Sequence, residues 1–420
     1  MLAGLSLAWL VVLAFIVRHR IFVSHDTISN YAHVWYVSHE IWHHHHLPFH
    51  MPVIGHGEAF AFPYGFLPWL SASLLYPLLG DWGVTLLLVV GAVTLIVATF
   101  VAFPELRLGY GAVVVLMNPS LIGAVVIGQL PFLWAASLLM FAIAAWRRDR
   151  PVVATVLAAG AQLTHAAILM PITALLVAGY LPFTRQRKQL VTAYLISAVV
   201  AVPAAIMVWV SPVFSEASAA TRAIAFVETL LERIMVFVVP ILLYRLRRLP
   251  RDQWAMGVVG IVLIAWQVVF FNVSSEGSGL RLALASRQST VPALARSGDL
   301  RPGSTYRILA NDHKVAMYEG LRAGIRLDSE FFPESISPRR WTDVRDYRNF
   351  LEQRGIQYVV VFPSYNGPSA KNERALLRRI TVARDGACTP GLLYATTTER
   401  RPSYTVHAIQ RCGLDGRALT

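Results

Sequence analysis

Apolar runs at 2–17, 83–103, 110–127, 131–146, 151–182, 190–210, 233–244 and 254–271 occupy most of the first 271 residues. Several reach the roughly 17–25 residues that carry a helix across a bilayer. In hydrocarbon every backbone polar group must be satisfied within the chain, so runs of this kind fold as helices. Soluble domains carry about 25% charged residues; this chain has 15%, with 55% hydrophobic. The charge is also concentrated late, since 22 of the 37 Lys and Arg and 14 of the 24 Asp and Glu lie beyond residue 271. The expected fold is mainly α: a polytopic bundle of about nine spans over residues 1–271, then a polar linker at 272–300 and an α/β domain at 301–420.

Three basic loops separate the later runs: Arg147-Arg148-Asp149-Arg150, Arg185-Gln186-Arg187-Lys188 and Arg245-Leu246-Arg247-Arg248 continuing to Arg251. Cytoplasmic loops collect such residues, so all three are expected inside. Two spans fit between the first pair of loops, divided near His165 to Pro171, and two between the second pair. The 254–271 run then delivers the last domain outside. Cys388 and Cys412, the only cysteines, both fall in that domain. In an oxidising compartment they can pair; two free thiols is the alternative.

The amino-terminal half leaves its topology open. The 2–17 run has no basic leader and no small-residue cleavage site after it, so it reads as a span and not a cleaved signal. With Met1 inside, the loop 18–65 is external. An odd number of crossings must then precede Arg147, yet 66–80, 83–103, 110–127 and 131–146 offer four. The short first stretch, opened by Pro63 and Pro68, or the third, broken at Asn118-Pro119, could be re-entrant. Arg18 and Arg20 favour the rival topology with the loop inside.

Loop 18–65 holds most of the histidine, including His43 to His46 in a row. From Thr27 to about His44 there is no Pro or Gly, and Ile28, Tyr31, Ala32, Trp35 and Trp42 recur at helical spacing. A polar line of Asn30, His33, Tyr36, Glu40 and His43/His44 runs opposite, and extends back to Asp26. This predicts an amphipathic helix with interfacial aromatics. Asp26 suits an N-cap and equally a catalytic carboxylate. Adjacent histidines point in different directions on a helix, so the run does not form one tetrahedral metal site. The i, i+4 pairs His39/His43 and His46/His50 are what zinc would use, but such dense histidine makes pairs by chance. A tolerated wet helix end is the leading reading and a pH-sensitive face the second.

Several short motifs resemble the GT-C class of membrane glycosyltransferases. A first span leads to His25-Asp26 and the amphipathic loop, which continues through Leu47-Pro48, Gly55 and Gly57, and Phe62-Pro63-Tyr64. Gly128-Gln129-Leu130-Pro131 resembles the Gly-Gln segment of polyprenol-phosphate-dependent mannosyltransferase relatives. Residues 346–361 resemble a helix-to-strand segment of the carboxy-terminal domains found in the class. The resemblance implies sugar transfer from a polyprenyl-phosphate donor to an extracytoplasmic glycan, lipid or protein acceptor, at the plasma membrane and among membrane lipids. It implies Asp26 as the base of a single inverting displacement. The class often shows a second acid beside the first. Here Glu40 and Glu58 are the only other acids in the loop, with Asp81 following. That departure argues against a divalent cation such as Mg or Mn, and leaves a metal-free reaction or lost catalysis open.

A lipid phosphate needs cations. Arg222 and Arg233 in the 211–233 connection, and Arg18 and Arg20, are the external candidates, with interfacial snorkelling the expectation for Arg233. Gln129 and His165, polar groups at the ends of apolar runs, are expected to face the bundle interior; His165 fits a structural role as well. The substrate-binding set is thus His25, His33, Glu40, Glu58, Gln129, His165 and Arg222, with Asp26 catalytic. In the last domain, strands are expected at 306–310, 357–362, 392–397 and 404–409, and a helix at 341–354. Its net positive charge would attract anionic lipid or glycan. The bias to arginine, with only Lys188, Lys314 and Lys371 as lysines, is a competing cause, and an external domain excludes nucleic acid as partner. A non-catalytic member of the class, acting in lipid binding, transport or envelope assembly, is the alternative function.

Overall fold

The computed structural model describes residues 2–18, 21, 27–48, 65–210, 219–246, 258, 260–263, 265, 269, 301–309, 318, 320–328, 341–362, 370–382, 386–401 and 404–418. These form two compact units, one helical and one mixed α/β.

The helical unit runs α1 (Leu2–Arg18), α2 (Thr27–His44), α3 (Phe66–Leu79), α4 (Asp81–Ala102), α5 (Tyr110–Leu116), α6 (Pro119–Ile127), α7 (Leu130–Trp146), α8 (Pro151–Thr164), α9 (Ala166–Tyr180), α10 (Arg187–Val210) and α11 (Ala219–Leu246). The breaks follow from local chemistry. Asn118 ends α5–α6 continuity: its Oδ1 accepts from Ser120 N at 3.0 Å, capping α6, and Pro119 takes the first helical position. Gly128, at φ 81°, closes α6 in the left-handed region. The chain restarts through Gln129 and Pro131 as α7. His165 interrupts the 151–182 run and divides it into α8 and α9.

Among the described residues, four stretches are long and apolar enough to cross a membrane: Asp81–Ala102, Tyr110–Ile127, Ala166–Phe183 and Arg187–Met207. Four shorter apolar helices accompany them: Ala3–Arg18, Leu67–Leu79, Leu130–Trp146 and Pro151–Thr164. The chain is therefore an integral membrane protein by its helices. The 254–271 run and the 272–300 linker fall almost wholly outside the described residues.

At one end of the unit the basic loops meet. The Arg147 guanidinium lies 4.2 Å from the Tyr244 ring centroid, bonds Glu105 at 2.9 Å and donates to Ala102 O. Arg245 lies 4.7 Å from the Phe183 ring. α4 and α7 run side by side from that end, tied by Trp134 Nε1 to Leu87 O at 3.0 Å and Ser137 Oγ to Gly91 O at 3.4 Å.

The second unit is a six-stranded sheet of β1 (Thr305–Leu309), β2 (Arg326–Leu327), β3 (Tyr358–Val361), β4 (Thr381–Val382), β5 (Leu393–Arg400) and β6 (Thr405–Arg411), with α12 (Val344–Gln353) and α13 (Ala370–Ile380). The order is β2-β1-β3-β6-β5-β4; β1 is parallel to β2 and β3, β4 to β5, and β6 is antiparallel to both neighbours. Trp341, Tyr347, Phe350, Leu351, Val359, Leu376 and Ile380 fill the core between helices and sheet. α12 starts at Asp343, whose Oδ1 accepts from Asp346 N while Asp346 Oδ2 accepts from Thr342 N, a reciprocal cap that begins the helix later than the expected 341. Cys388 and Cys412 are joined as a disulfide, their Cα atoms 5.9 Å apart.

Candidate functional site

The end of the helical unit opposite the basic loops collects its polar side chains at helix breaks. α2 forms over Thr27–His44, the expected span; its polar line is exposed at His43 and His44 but not at its Asn30 end. Asn30 is 3% exposed. Its Nδ2 donates to Gly128 O at 2.9 Å, at the α6–α7 break, and its Oδ1 accepts from Trp69 Nε1 at 2.9 Å. Tyr31 OH meets Thr85 Oγ1 on α4 at 2.6 Å, and Ser73 Oγ on α3 donates to Val34 O at 3.1 Å. This corrects the expectation of an amphipathic helix wet on its Asn30 face. The polar groups there satisfy the broken ends of neighbouring helices, which an apolar side chain could not do.

His33 stacks on Trp69, ring centroids 4.2 Å apart and planes within 10°. Its Nδ1 lies 2.5 Å from Ser29 O, so Nδ1 carries the proton and Nε2 is the acceptor nitrogen. Burial lowers its pKa to about 4, opposed by the bond to Ser29 O; the ring is neutral at physiological pH.

The α8–α9 break lies beside the start of α3. Gly65 N donates to Thr164 O at 2.8 Å, and His165 follows as the residue between the two helices, buried at 7% exposure. The His165 ring meets Phe132 edge-on at 6.3 Å. The Arg233 guanidinium also sits over Phe132, 5.3 Å from the ring centroid. Arg233 and Glu232, 3.8 Å apart, are both buried. The expectation that Arg233 snorkels to the interface is thus overturned, since the guanidinium is turned inward against an aromatic face.

Of the sequence-selected residues, the structure brings His33, Gln129 and His165 into one connected neighbourhood. Glu40 stands apart, seven residues and about 10 Å further along α2, paired with His46 at 3.2 Å. Asp26, His25 and Glu58 lie outside the described residues. Arg222 belongs to α11, and its side chain is likewise outside them. Asn30, Trp69, Phe132 and Glu232 were not selected. A Glu-Arg pair inside the apolar stretch 226–243 was the available signal; Trp69 and Phe132 carried none.

Chemically, the neighbourhood offers a buried guanidinium and the amino ends of α3, α7 and α9, all of which favour anionic groups. Among the described residues no three His, Cys, Asp or Glu side chains converge as ligands for an ion.

The fold is similar to that of ArnT from Cupriavidus metallidurans, solved bound to undecaprenyl phosphate. The match covers 97% of this chain and 98% of that one, with 14% identity and a TM-score of 0.50. No family model matches the sequence, and no curated protein matches it. The likeness is one of fold: the chain has an ArnT-like fold.

Proposed function

We propose that the protein is a membrane glycosyltransferase that takes a sugar from a polyprenyl-phosphate donor. It passes the sugar to a glycan, lipid or protein acceptor at the extracytoplasmic face. In this reading the chain makes about nine crossings, and the carboxy-terminal unit lies outside with the α2 end of the bundle. The observation that carries the reading is the buried Arg233 beside Phe132 and His165, at an end where three helices begin, in a fold like that of a protein solved with undecaprenyl phosphate.

The chemistry is a single displacement. Asp26 takes the proton of an acceptor hydroxyl as its oxygen attacks the anomeric carbon. The bond from that carbon to the phosphate oxygen breaks, its electron pair leaves with the polyprenyl phosphate, and the configuration inverts. Arg233 and the helix amino ends stabilise the negative charge that grows on the departing phosphate. Neutral His33 and the amide of Gln129 are donors and acceptors for sugar hydroxyls, and Trp69 is a flat apolar face beside them.

The test is lipid-linked sugar analysis of a deletion strain complemented with wild type, Asp26→Asn or Arg233→Lys. A deletion strain that accumulates a sugar-charged polyprenyl phosphate, cleared by wild type and not by Asp26→Asn, supports the reading. Asp26→Asn clearing it as wild type does would overturn the role of Asp26. The loop's lack of a second acid beside Asp26 favours the alternative, a non-catalytic lipid-binding, transport or assembly partner. That alternative predicts an unchanged lipid-linked pool in the deletion strain.

A further inference from the structure

The sugar-transfer reading leaves the histidine run unused, and the structure gives that run a definite setting. Between Thr27 and Ser38 α2 buries Thr27, Ile28, Asn30, Tyr31, Ala32, Val34, Val37 and Ser38, and it emerges at its carboxy end: Trp42 is 49% exposed, and His43 to His46 are all exposed. The helix stops at His44, and His45 adopts φ 56° in the left-handed region, so the run wraps around a helix terminus. The imidazoles there form one cluster. His39 stacks on Trp35 at 5.2 Å and meets His43 at 4.6 Å and His44 at 5.4 Å, while His44 and His46 are 6.3 Å apart.

Its surroundings fix its depth. Trp42 Nε1 donates to Ser73 O on α3 at 3.3 Å. The residues that follow Ser73 are the exposed Leu74, Leu75, Leu78 and Leu79, Leu78 at 84%. An apolar strip of that kind on an integral membrane protein faces lipid tails, and tryptophan settles at the headgroup level. The histidines that follow Trp42 are therefore at the headgroups.

We propose that the carboxy end of α2 is a docking point for the phosphate groups of anionic glycerophospholipids, engaged when the histidine cluster takes up protons. Imidazole is the side chain that changes charge between about pH 5 and 8. Burial together with His43 and His44 lowers the pKa of His39, while Glu40 opposes this; the cluster thus takes up protons against its own repulsion, which a lipid phosphate relieves. Among the described residues, facing groups are few. Glu40 pairs with His46; on α3 the one titratable residue is Tyr76, on α4 it is Asp81, and these two bond each other at 2.7 Å. No cation on α3 or α4 competes for the phosphate. The proposal rests on the membrane setting alone and stands whether or not the protein transfers sugar.

The test uses the full-length protein in phosphatidylcholine bilayers containing about a fifth phosphatidylglycerol, with bromines on the phosphatidylglycerol chains, and reads quenching of tryptophan fluorescence. Each cation near an anionic leaflet raises local occupancy by about fivefold. Quenching should rise clearly from about pH 7.5 to about pH 5.5 in the wild type. It should not rise when His43, His44, His45 and His46 are all changed to Gln. The His43→Lys, His44→Lys variant keeps its cations and should be strongly quenched at both pH values, which also shows that substitution at the cluster leaves the helix in place. An equal rise in the four-Gln variant overturns the proposal, as does no rise in the wild type. An equal rise with the bromines moved to phosphatidylcholine also overturns it, because α2 would then merely sink deeper without selecting the anionic lipid.

Discussion

Asn30 ties α2 to two other elements with one amide, donating to Gly128 O and accepting from Trp69 Nε1. Asn30→Ala removes both bonds and leaves less in their place than the apolar shape would suggest. A loss of about 2 kcal/mol is expected, read as a lower thermal midpoint in detergent with tryptophan emission shifted. The neighbouring His33 gives stability a pH dependence whose sign follows from its neutral ring. Its folded pKa, about 4, lies below the ordinary value of 6.5, so the folded protein binds fewer protons than the unfolded. The contribution is complete above about pH 6.5 and is lost as pH falls from there toward 4, up to about 3 kcal/mol. His407 in the other unit is shifted down in the same way by burial and by Arg400. The part due to His33 is therefore the difference between wild type and His33→Gln, and the variant's midpoint should vary less with pH across that window. Identical pH profiles would remove the assignment.

Elements set where such residues meet. The amino end of α3 begins at Gly65, which has φ 73°; a Cβ there would lie 2.6 Å from Trp69 Cδ2. Gly65→Ala incurs about 1–2 kcal/mol for the left-handed backbone alone and must also push Trp69 off His33. The expected outcome is a lower thermal midpoint than for Asn30→Ala, checked by parallel melts of the two variants. The sequence made α2 legible at both ends, because eighteen residues without Pro or Gly carry a clear period. The breaks at Asn118-Pro119 and His165 were equally readable, since a cap or a lone polar residue punctuates an apolar run. The face of α2 was misread: periodicity separates polar from apolar, but it does not say whether the polar side meets water or the ends of other helices. Strands β2 and β4 have two residues each, too few for alternation to register. α13, rich in Arg and Glu, has no apolar run to draw attention. Arg307 on β1 is buried, its fork bonded to Glu373 at 2.6 and 3.0 Å and its Nη1 to Asp328 at 3.3 Å. Those partners lie 66 and 21 residues away in sequence, beyond any local signal. Of the site, Gln129, His165 and His33 could be selected as polar groups in apolar or interfacial stretches, whereas Trp69 and Phe132 act through position alone.

At the scale of the whole molecule, each unit carries its own evidence about which side of the membrane it faces. In the helical unit the basic residues at 147–150, 185–188 and Arg245 share one end, since Arg147 packs on Tyr244 and Arg245 on Phe183. The positive-inside rule assigns that end to the cytoplasm, which puts the α2 end outside in the proposed topology. The carboxy-terminal unit holds the Cys388–Cys412 disulfide, and such a bond persists in oxidising compartments and not in the cytosol. The two arguments are independent, one from electrostatics and one from redox chemistry, and they converge only if the chain crosses again after α11. Protein extracted from cells under acid quench should therefore resist a maleimide-polyethylene glycol reagent until it is reduced, and then gain two adducts. Both thiols reacting without reduction would place the unit in the cytosol and separate it from an extracytoplasmic acceptor. The bond closes a loop with a sequence separation of 24, for which chain entropy gives about 3.5 kcal/mol. Cys388→Ser with Cys412→Ser should accordingly leave the helical unit inserted while protease cuts the carboxy-terminal unit much faster. Unchanged cleavage would mean that the sheet, and not the bond, holds that end of the chain.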